Sequence, residues 1–255
     1  MQRYRSILIM LMVVLIVFIL LLIASFNANL QISKRSNEYY RDLNATRLDP
    51  YGLAAFPTSA LPIMQADPRP LVVFFGDSRA ADWPVPTLPA YRFLNRGIGS
   101  QTAVQVAGRY RAHITPLHPN ILIVQVGIND LKVIAMLPAQ RDTIVTNCQH
   151  SIASIVTAAQ AEQTTVILMT IIPAGTIPLE RQWLWSSEVD QAVNEVNAYI
   201  RSLAAPRVII FDAAALLTDA TGRVAPEYQQ DELHFNAMGY TVLNAELIAL
   251  LARLP

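Results

Sequence analysis

The chain has 255 residues, 53% of them hydrophobic, and its 19 basic and 19 acidic side chains cancel. That length can bury one core with a short appendage, and the lack of any basic run excludes a nucleic-acid partner held by electrostatics. A single cysteine, Cys148, excludes an internal disulfide and falls in a helical pattern as a core residue.

The appendage is the N-terminus. Ile7 to Ala24 is apolar throughout, without a charge or a proline. At 1.5 Å per residue this run spans roughly 27 Å as a helix, close to the thickness of a hydrocarbon core. Arg3 and Arg5 ahead of it also fit the basic region of a signal peptide. Against cleavage, the run is longer than a usual signal core, and Phe26 occupies a position where a small residue is needed before Ala28. The expectation is an uncleaved single-pass anchor over 1–26 with the rest of the chain outside the cytoplasm, secretion after cleavage being the alternative. Residues 27–69, with Pro57, Pro62 and Pro68, read as a stalk and lead-in.

From residue 70 the pattern becomes regular. Leu71–Phe75, Ile121–Val126, Thr165–Ile172 and Val208–Phe211 are short apolar runs closed by Gly, Pro or Asp, and Tyr91–Leu94 is a weaker fifth. Such runs suit strands buried on both faces. Between them, Thr102–His113, Pro138–Glu162, Ser186–Leu203 and Ala237–Leu254 have helical spacing. Alternating strands and helices predict a five-stranded parallel sheet in a three-layer α/β/α sandwich over 70–255.

Four motifs sit in this frame: Gly76-Asp77-Ser78, Asn95-Arg96-Gly97-Ile98-Gly99-Ser100, Gly127-Ile128-Asn129-Asp130 and Asp231-Glu232-Leu233-His234. The first three fall just past predicted strand ends, the edge where open α/β sheets bind ligands. Together they carry a serine, a histidine, a carboxylate and oxyanion donors, the parts of a nucleophilic acyl-transfer site. In this order and spacing they resemble the SGNH hydrolase family of GDSL-type esterases, over roughly Leu71 to the C-terminus. The resemblance implies a flavodoxin-like sheet, Ser78 as nucleophile, His234 as general base and acid, and Asp231 as the group orienting the imidazole. It also implies an oxyanion hole from the Ser78 N–H, the Asn129 amide and a backbone N–H of the second motif, with no cofactor and no metal. The chain departs from the family pattern at that last donor, where the usual glycine two residues before the threonine is Ser100 and a glycine stands one earlier. Ser100 is expected to donate, with Gly99 supplying the bend. Asp77 and Asp130 are expected to brace loops.

Other readings of the same residues can be weighed. Gly76-Asp77-Ser78-Arg79-Ala80 nearly matches the nucleophile elbow of α/β-hydrolases, but too little chain precedes it for an upstream oxyanion loop. Asp77, Asn129, Asp130, Asp231 and His234 could ligate a metal, yet His113, His118 and His150 lack ligand-like spacing and read as surface or structural residues. A membrane-tethered glycan-binding domain would not require Ser, Asn, Asp and His together. The expected substrate is a small-molecule, lipid or glycan ester, with acyl transfer to a second hydroxyl as the alternative outcome. Ile177, Leu179, Trp183 and Trp185 after the fourth strand are candidate walls of the cleft.

Overall fold

The computed structural model describes residues 2–57 and 67–254, and the chain divides into two compact units, Met1–Pro50 and Tyr51–Pro255. Pro62 of the expected lead-in lies outside the described residues.

The first unit is one helix, α1, Gln2–Leu48. It is longer than the apolar run because no glycine or proline interrupts the sequence before Pro50. Its polar half is continuous with the apolar half, with Asn44 donating to the Tyr40 carbonyl and Thr46 to the Asp42 carbonyl one turn back. The segment expected as a stalk is thus helical as far as Leu48. Leu8, Phe18 and Leu21 are more than half exposed, as are most of their apolar neighbours. By length and composition the helix can cross a membrane.

The second unit runs β1 (Leu71–Gly76), α2 (Ser78–Ala81), β2 (Arg92–Gly97), α3 (Ala103–Gly108), α4 (Tyr110–His113), β3 (Ile121–Gln125), α5 (Ile128–Leu131), α6 (Arg141–Ala161), β4 (Thr165–Met169), α7 (Ser187–Ser202), β5 (Val208–Phe211), α8 (Ala213–Leu217) and α9 (Ala237–Leu251). The five strands form one sheet in the order β2-β1-β3-β4-β5, every pairing parallel. Side chains alternate between the two faces. Leu71, Val73, Phe75, Leu122 and Val124 enter a core with α3, α6 and α7, while Val72, Phe74, Ile121 and Ile123 enter a second core with α8 and α9. Helices therefore cover both faces, as a buried parallel sheet requires.

Two boundaries differ from expectation for physical reasons. β4 ends at Met169 because Ile171 leaves the ladder: its N–H and C=O are both taken by the side-chain amide of Asn197 on α7. β2 is half-buried along its whole length, as befits an edge strand carrying Arg92, Asn95 and Arg96. That explains why its apolar signal is weak.

After β1 the chain crosses to β2 on one side and then returns to β3 on the other, so the β1/β3 boundary is the topological switch point. Ser78 follows β1 and Asn129 follows β3, which brings two of the four motifs to that crevice. Tyr51–Phe56 packs beside the second motif. The Tyr51 carbonyl accepts from Gln101 Nε2 at 2.9 Å, and Arg96 lies 4.5 Å over the Phe56 ring.

Candidate active site

Ser78 opens α2, immediately beyond β1. The turn is tight because Asp77 N–H donates to the Gln125 carbonyl at 3.1 Å, extending the β1–β3 ladder by one step. A Cβ on Gly76 would lie 1.8 Å from that same carbonyl oxygen, so only glycine admits the approach. Asp77 caps α2 by accepting from Arg79 N–H at 3.0 Å, and it is wholly buried. Burial pushes its carboxyl up to about 6 despite the opposing pull of the Arg79 guanidinium and N–H. Its Oδ2 meets no hydrogen-bond partner among the described residues. Asp130 likewise braces a loop, accepting from Ala103 N–H at 2.8 Å with Oδ2, and burial raises it to about 7.

Asp231 and His234 lie on the irregular segment before α9. Asp231 folds back on its own loop and accepts from Leu233 N–H at 2.8 Å and His234 N–H at 2.7 Å. Its Oδ2 lies 2.8 Å from His234 Nδ1, and His234 Nε2 lies 3.0 Å from Ser78 Oγ. Partial burial raises the Asp231 carboxyl, but the Leu233 N–H, the His234 ring and the His234 N–H outweigh it and hold the group below its ordinary value. An anionic carboxylate at Nδ1 leaves Nε2 free to accept the serine proton. Asn236, two residues on, accepts from Met238 and Gly239 N–H and starts α9. The loop is thereby tied off directly after the histidine.

The oxyanion candidates are also brought to this edge. The Asn129 amide is buried and donates to the Gln101 carbonyl at 3.0 Å, leaving its other N–H without a partner among the described residues. A Cβ placed on Gly99 would lie 3.9 Å from Ser78 Cβ, so the second motif runs past the serine. Here one expectation needs correction. Ser100, not Gly99, makes the bend: its φ is 63°, the left-handed region, whereas Gly99 has no positive φ. This is the backbone state for which the family's usual glycine is suited.

Two buried arginines surround this turn, and sequence reasoning did not find them. Arg79 is 1% exposed. It donates through Nε to the Leu233 carbonyl at 2.8 Å, through Nη1 to the Ile172 carbonyl and through Nη2 to the Pro173 carbonyl, under the Phe235 ring. It therefore connects the nucleophile turn to the residue preceding His234. Arg109 donates to the Gly76 carbonyl at 2.9 Å and the Arg96 carbonyl at 2.8 Å, joining the ends of β1 and β2. The available signal was weak: an arginine next to a catalytic-type serine must either reach solvent or find carbonyls, and spacing does not say which.

Of the proposed walls, Trp183 and Leu179 are 72% and 81% exposed. Trp185 and Ile177 instead line a small cavity beside Glu232 and Leu233. A cavity of about 710 Å³ lies at the opposite end of the sheet around Asn120, Ile121 and Thr165, away from all four motifs. Among the described residues no cluster of three His, Cys, Asp or Glu side chains could hold a metal ion.

A parallel α/β/α sheet with Ser78, His234 and Asp231 hydrogen-bonded in series beyond its strand ends is an arrangement that serine hydrolases use. The chain matches the GDSL-like Lipase/Acylhydrolase family over residues 67–242, and it belongs to that family as a hydrolase acting on ester bonds. It is 27% identical over 197 residues to platelet-activating factor acetylhydrolase IB subunit alpha1 of Rattus norvegicus, covering 74% of this chain and 78% of that one. Among solved structures it is similar to a putative platelet activating factor protein from Streptococcus pneumonia, with TM-score 0.61 and 19% identity over 82% of this chain and 99% of that one. An acetylxylan esterase from Geobacillus stearothermophilus superposes with TM-score 0.53 and 17% identity, covering 71% and 93% of the two chains. The latter two likenesses bear on the fold.

Proposed function

We propose that the chain is a serine esterase that removes a short acyl group through an acyl-enzyme on Ser78. The observation that carries this reading is the unbroken series from Ser78 Oγ through His234 Nε2 and Nδ1 to Asp231 Oδ2, at 3.0 Å and 2.8 Å. In the first half-reaction His234 Nε2 takes the Ser78 proton as Oγ bonds to the ester carbonyl carbon. The tetrahedral oxyanion is received by the Ser78 N–H, the Asn129 amide and the Ser100 N–H. As the C–O bond to the alcohol breaks, His234 returns the proton to the leaving oxygen. In the second, water gives a proton to Nε2 and attacks the acyl carbon, and Ser78 leaves with that proton restored. Asp231 stays ionised and stabilises the imidazolium. The name of the relative, an acetylhydrolase, supports an acetyl or similarly short acyl group.

Residues 7–24 of α1 are proposed to hold the chain in a membrane, with residues 70–255 as the hydrolase domain on the extracytoplasmic side, where acylated envelope glycans and lipids are found. The apolar, exposed surface of this part of the helix supports an anchor.

The test uses a fluorophosphonate and 4-nitrophenyl acetate. The expected result is covalent labelling that maps to Ser78, with loss of label and turnover together in Ser78→Ala. Full labelling or turnover in that variant would overturn the assignment. For the anchor, the full chain should sediment with membranes and keep its first residues. A mature form beginning near Asn27 in the medium would instead establish cleavage.

A further inference from the structure

The small cavity beside the Asp–His loop holds a charge without a partner. Its volume is about 160 Å³, and Met136, Ile177, Leu184, Trp185 and Leu233 give it an apolar wall. Two cations reach it, Lys132 and Arg181. Arg181 is committed, because its guanidinium is paired with the Glu232 carboxylate. Lys132 makes no hydrogen bond or ion pair among the described residues, though it is half-buried directly after α5. Burial lowers its ammonium from the ordinary value, with Asp77 and Glu232 pulling the other way. Neither neighbour forms an ion pair with it: the Glu232 carboxylate is taken by Arg181, and the Asp77 carboxylate accepts from the Arg79 N–H. A half-buried ammonium without an ion-pair partner carries a desolvation cost that a bound anion would offset.

The position is informative. Lys132 stands three residues after Asn129, and Leu233 stands one before His234, so the segment that carries the oxyanion amide and the loop that carries the base both line the cavity. We infer that this cavity is an anion subsite of the esterase, in which Lys132 receives a carboxylate or phosphate carried on the alcohol part of the substrate. The inference rests on the reading of Ser78 as the acyl acceptor with a short acyl group. An acetyl group carries no charge of its own, which leaves the alcohol to carry the anion. The apolar wall then packs the carbon skeleton between the ester and the anion. The substrate class is an acylated acidic sugar or an acylated phosphoglycerol, both of which present an anion a few bonds from an ester.

Two pairs of acetyl esters test this on the full chain. An acetylated methyl glucuronide is compared with the acetylated methyl glucoside, and acetylglycerol phosphate with acetylglycerol. At least one anionic member should be turned over with kcat/KM about tenfold or more above its neutral partner, the gain expected of a charge-assisted contact. The arm that gives the preference identifies the carboxylate or the phosphate. In Lys132→Met the ratio within that pair should fall to about twofold or less, and Lys132→Arg should keep most of it. Equal turnover within both pairs by the wild type would overturn the subsite, and so would a preference that survives in Lys132→Met. Those outcomes leave Ser78 chemistry intact, since neutral acetates still turn over. Failure to hydrolyse any acetate, with no fluorophosphonate label on Ser78, would instead remove the reading on which the subsite depends.

Discussion

The two halves of the site are built differently. Ser78 stands between the fully buried Asp77 and Arg79, on a turn whose backbone continues the β1–β3 ladder. Asp231 and His234 keep 43% and 30% of their side chains exposed, on a loop with one isolated bridge, between Gln229 and Phe235. Strand register positions the first half, and a slip would disrupt the whole core. The second half is positioned by separate hydrogen bonds: the loop's own contacts to Asp231 and from Gln230 N–H to the His234 carbonyl, Gly175 N–H and Arg79 holding the Glu232 and Leu233 carbonyls, and Arg181 paired with the Glu232 carboxylate. A rigid half bearing the nucleophile and a lightly held half bearing the base make the distance between them depend on specific side chains.

The largest expected effect tests whether the halves act as a unit at all. Ser78→Ala and His234→Ala should each lower kcat by about 10³-fold or more, and the double variant should be no slower than Ser78→Ala alone. Steady-state kinetics on 4-nitrophenyl acetate would measure this. Defects that multiply in the double variant would mean that the 3.0 Å contact between the halves is not used in the reaction.

The strut comes next. Arg79→Met removes the guanidinium and leaves the Leu233, Ile172 and Pro173 carbonyls without that donor. Each stranded carbonyl costs about 1–3 kcal/mol, so a denaturation midpoint should fall measurably. Activity should fall roughly 10- to 100-fold, through kcat more than KM, because misplacing the base by about 1 Å costs that order. Arg79→Lys should recover part of it by reaching one carbonyl. Arg109→Met is the control from the buried half: it should destabilise comparably, yet leave the residue before His234 tethered. If both variants lose activity in proportion to stability alone, the positioning role of Arg79 falls.

Much of the first half was legible in the sequence, and less of the second. The strand-end glycines and the continuous apolar runs of β1 and β3 announce a buried parallel sheet, and three motifs at strand ends follow from it. The spacing of Asp231 and His234 also suggested that one loop could present both. What spacing cannot express is a buried charge satisfied by main-chain carbonyls, so nothing in the sequence singled out Arg79 or Arg109. Lys132 was silent for the same reason, since its significance lies in a missing partner. The helical continuation of α1 to Leu48 was readable from the lack of glycine and proline, whereas its polar composition suggested a linker. The bend at Ser100 went the other way: a neighbouring glycine drew the expectation, and the backbone placed the positive φ one residue later.

The halves also differ in how they respond to pH. Asp77 and Asp130 are raised to about 6 and about 7 by burial, above the usual carboxylate value of 3.8 in the unfolded chain. The folded state therefore binds more protons between those limits, and stability declines as pH rises through them. Asp231 is lowered, so its contribution is present above 3.8 and is lost as pH falls through its folded value. Thermal unfolding should accordingly give a higher Tm at pH 5 than at pH 8, with a decline again in stronger acid. Asp77→Asn retains an acceptor for the Arg79 N–H and cannot titrate, so it should flatten the slope between pH 5 and pH 8. A Tm that does not decline from pH 5 to pH 8 would mean that neither buried carboxyl holds a proton in the fold over that range.

The smallest effect concerns the one residue of the second motif that departs from its family. Ser100 holds φ 63° without being glycine, and an L-residue in that region carries a penalty of roughly 1–2 kcal/mol. Ser100→Gly removes the penalty but adds backbone entropy to the unfolded chain, roughly 0.5–1 kcal/mol in the opposite direction. The two nearly cancel, leaving an expected gain of about 0.5 kcal/mol, readable as a small rise in the denaturation midpoint. If the proposed oxyanion donor is the backbone N–H, the variant should also keep kcat within about threefold, since glycine offers the same donor in the same conformation. Ser100→Pro supplies the complementary loss: it deletes the N–H and forbids a positive φ, so it should abolish turnover whichever residue of the motif donates. A folded Ser100→Gly protein with kcat reduced a hundredfold would mean that the hydroxyl itself contacts the reacting ester, and that the departure from glycine serves the chemistry rather than being tolerated by it.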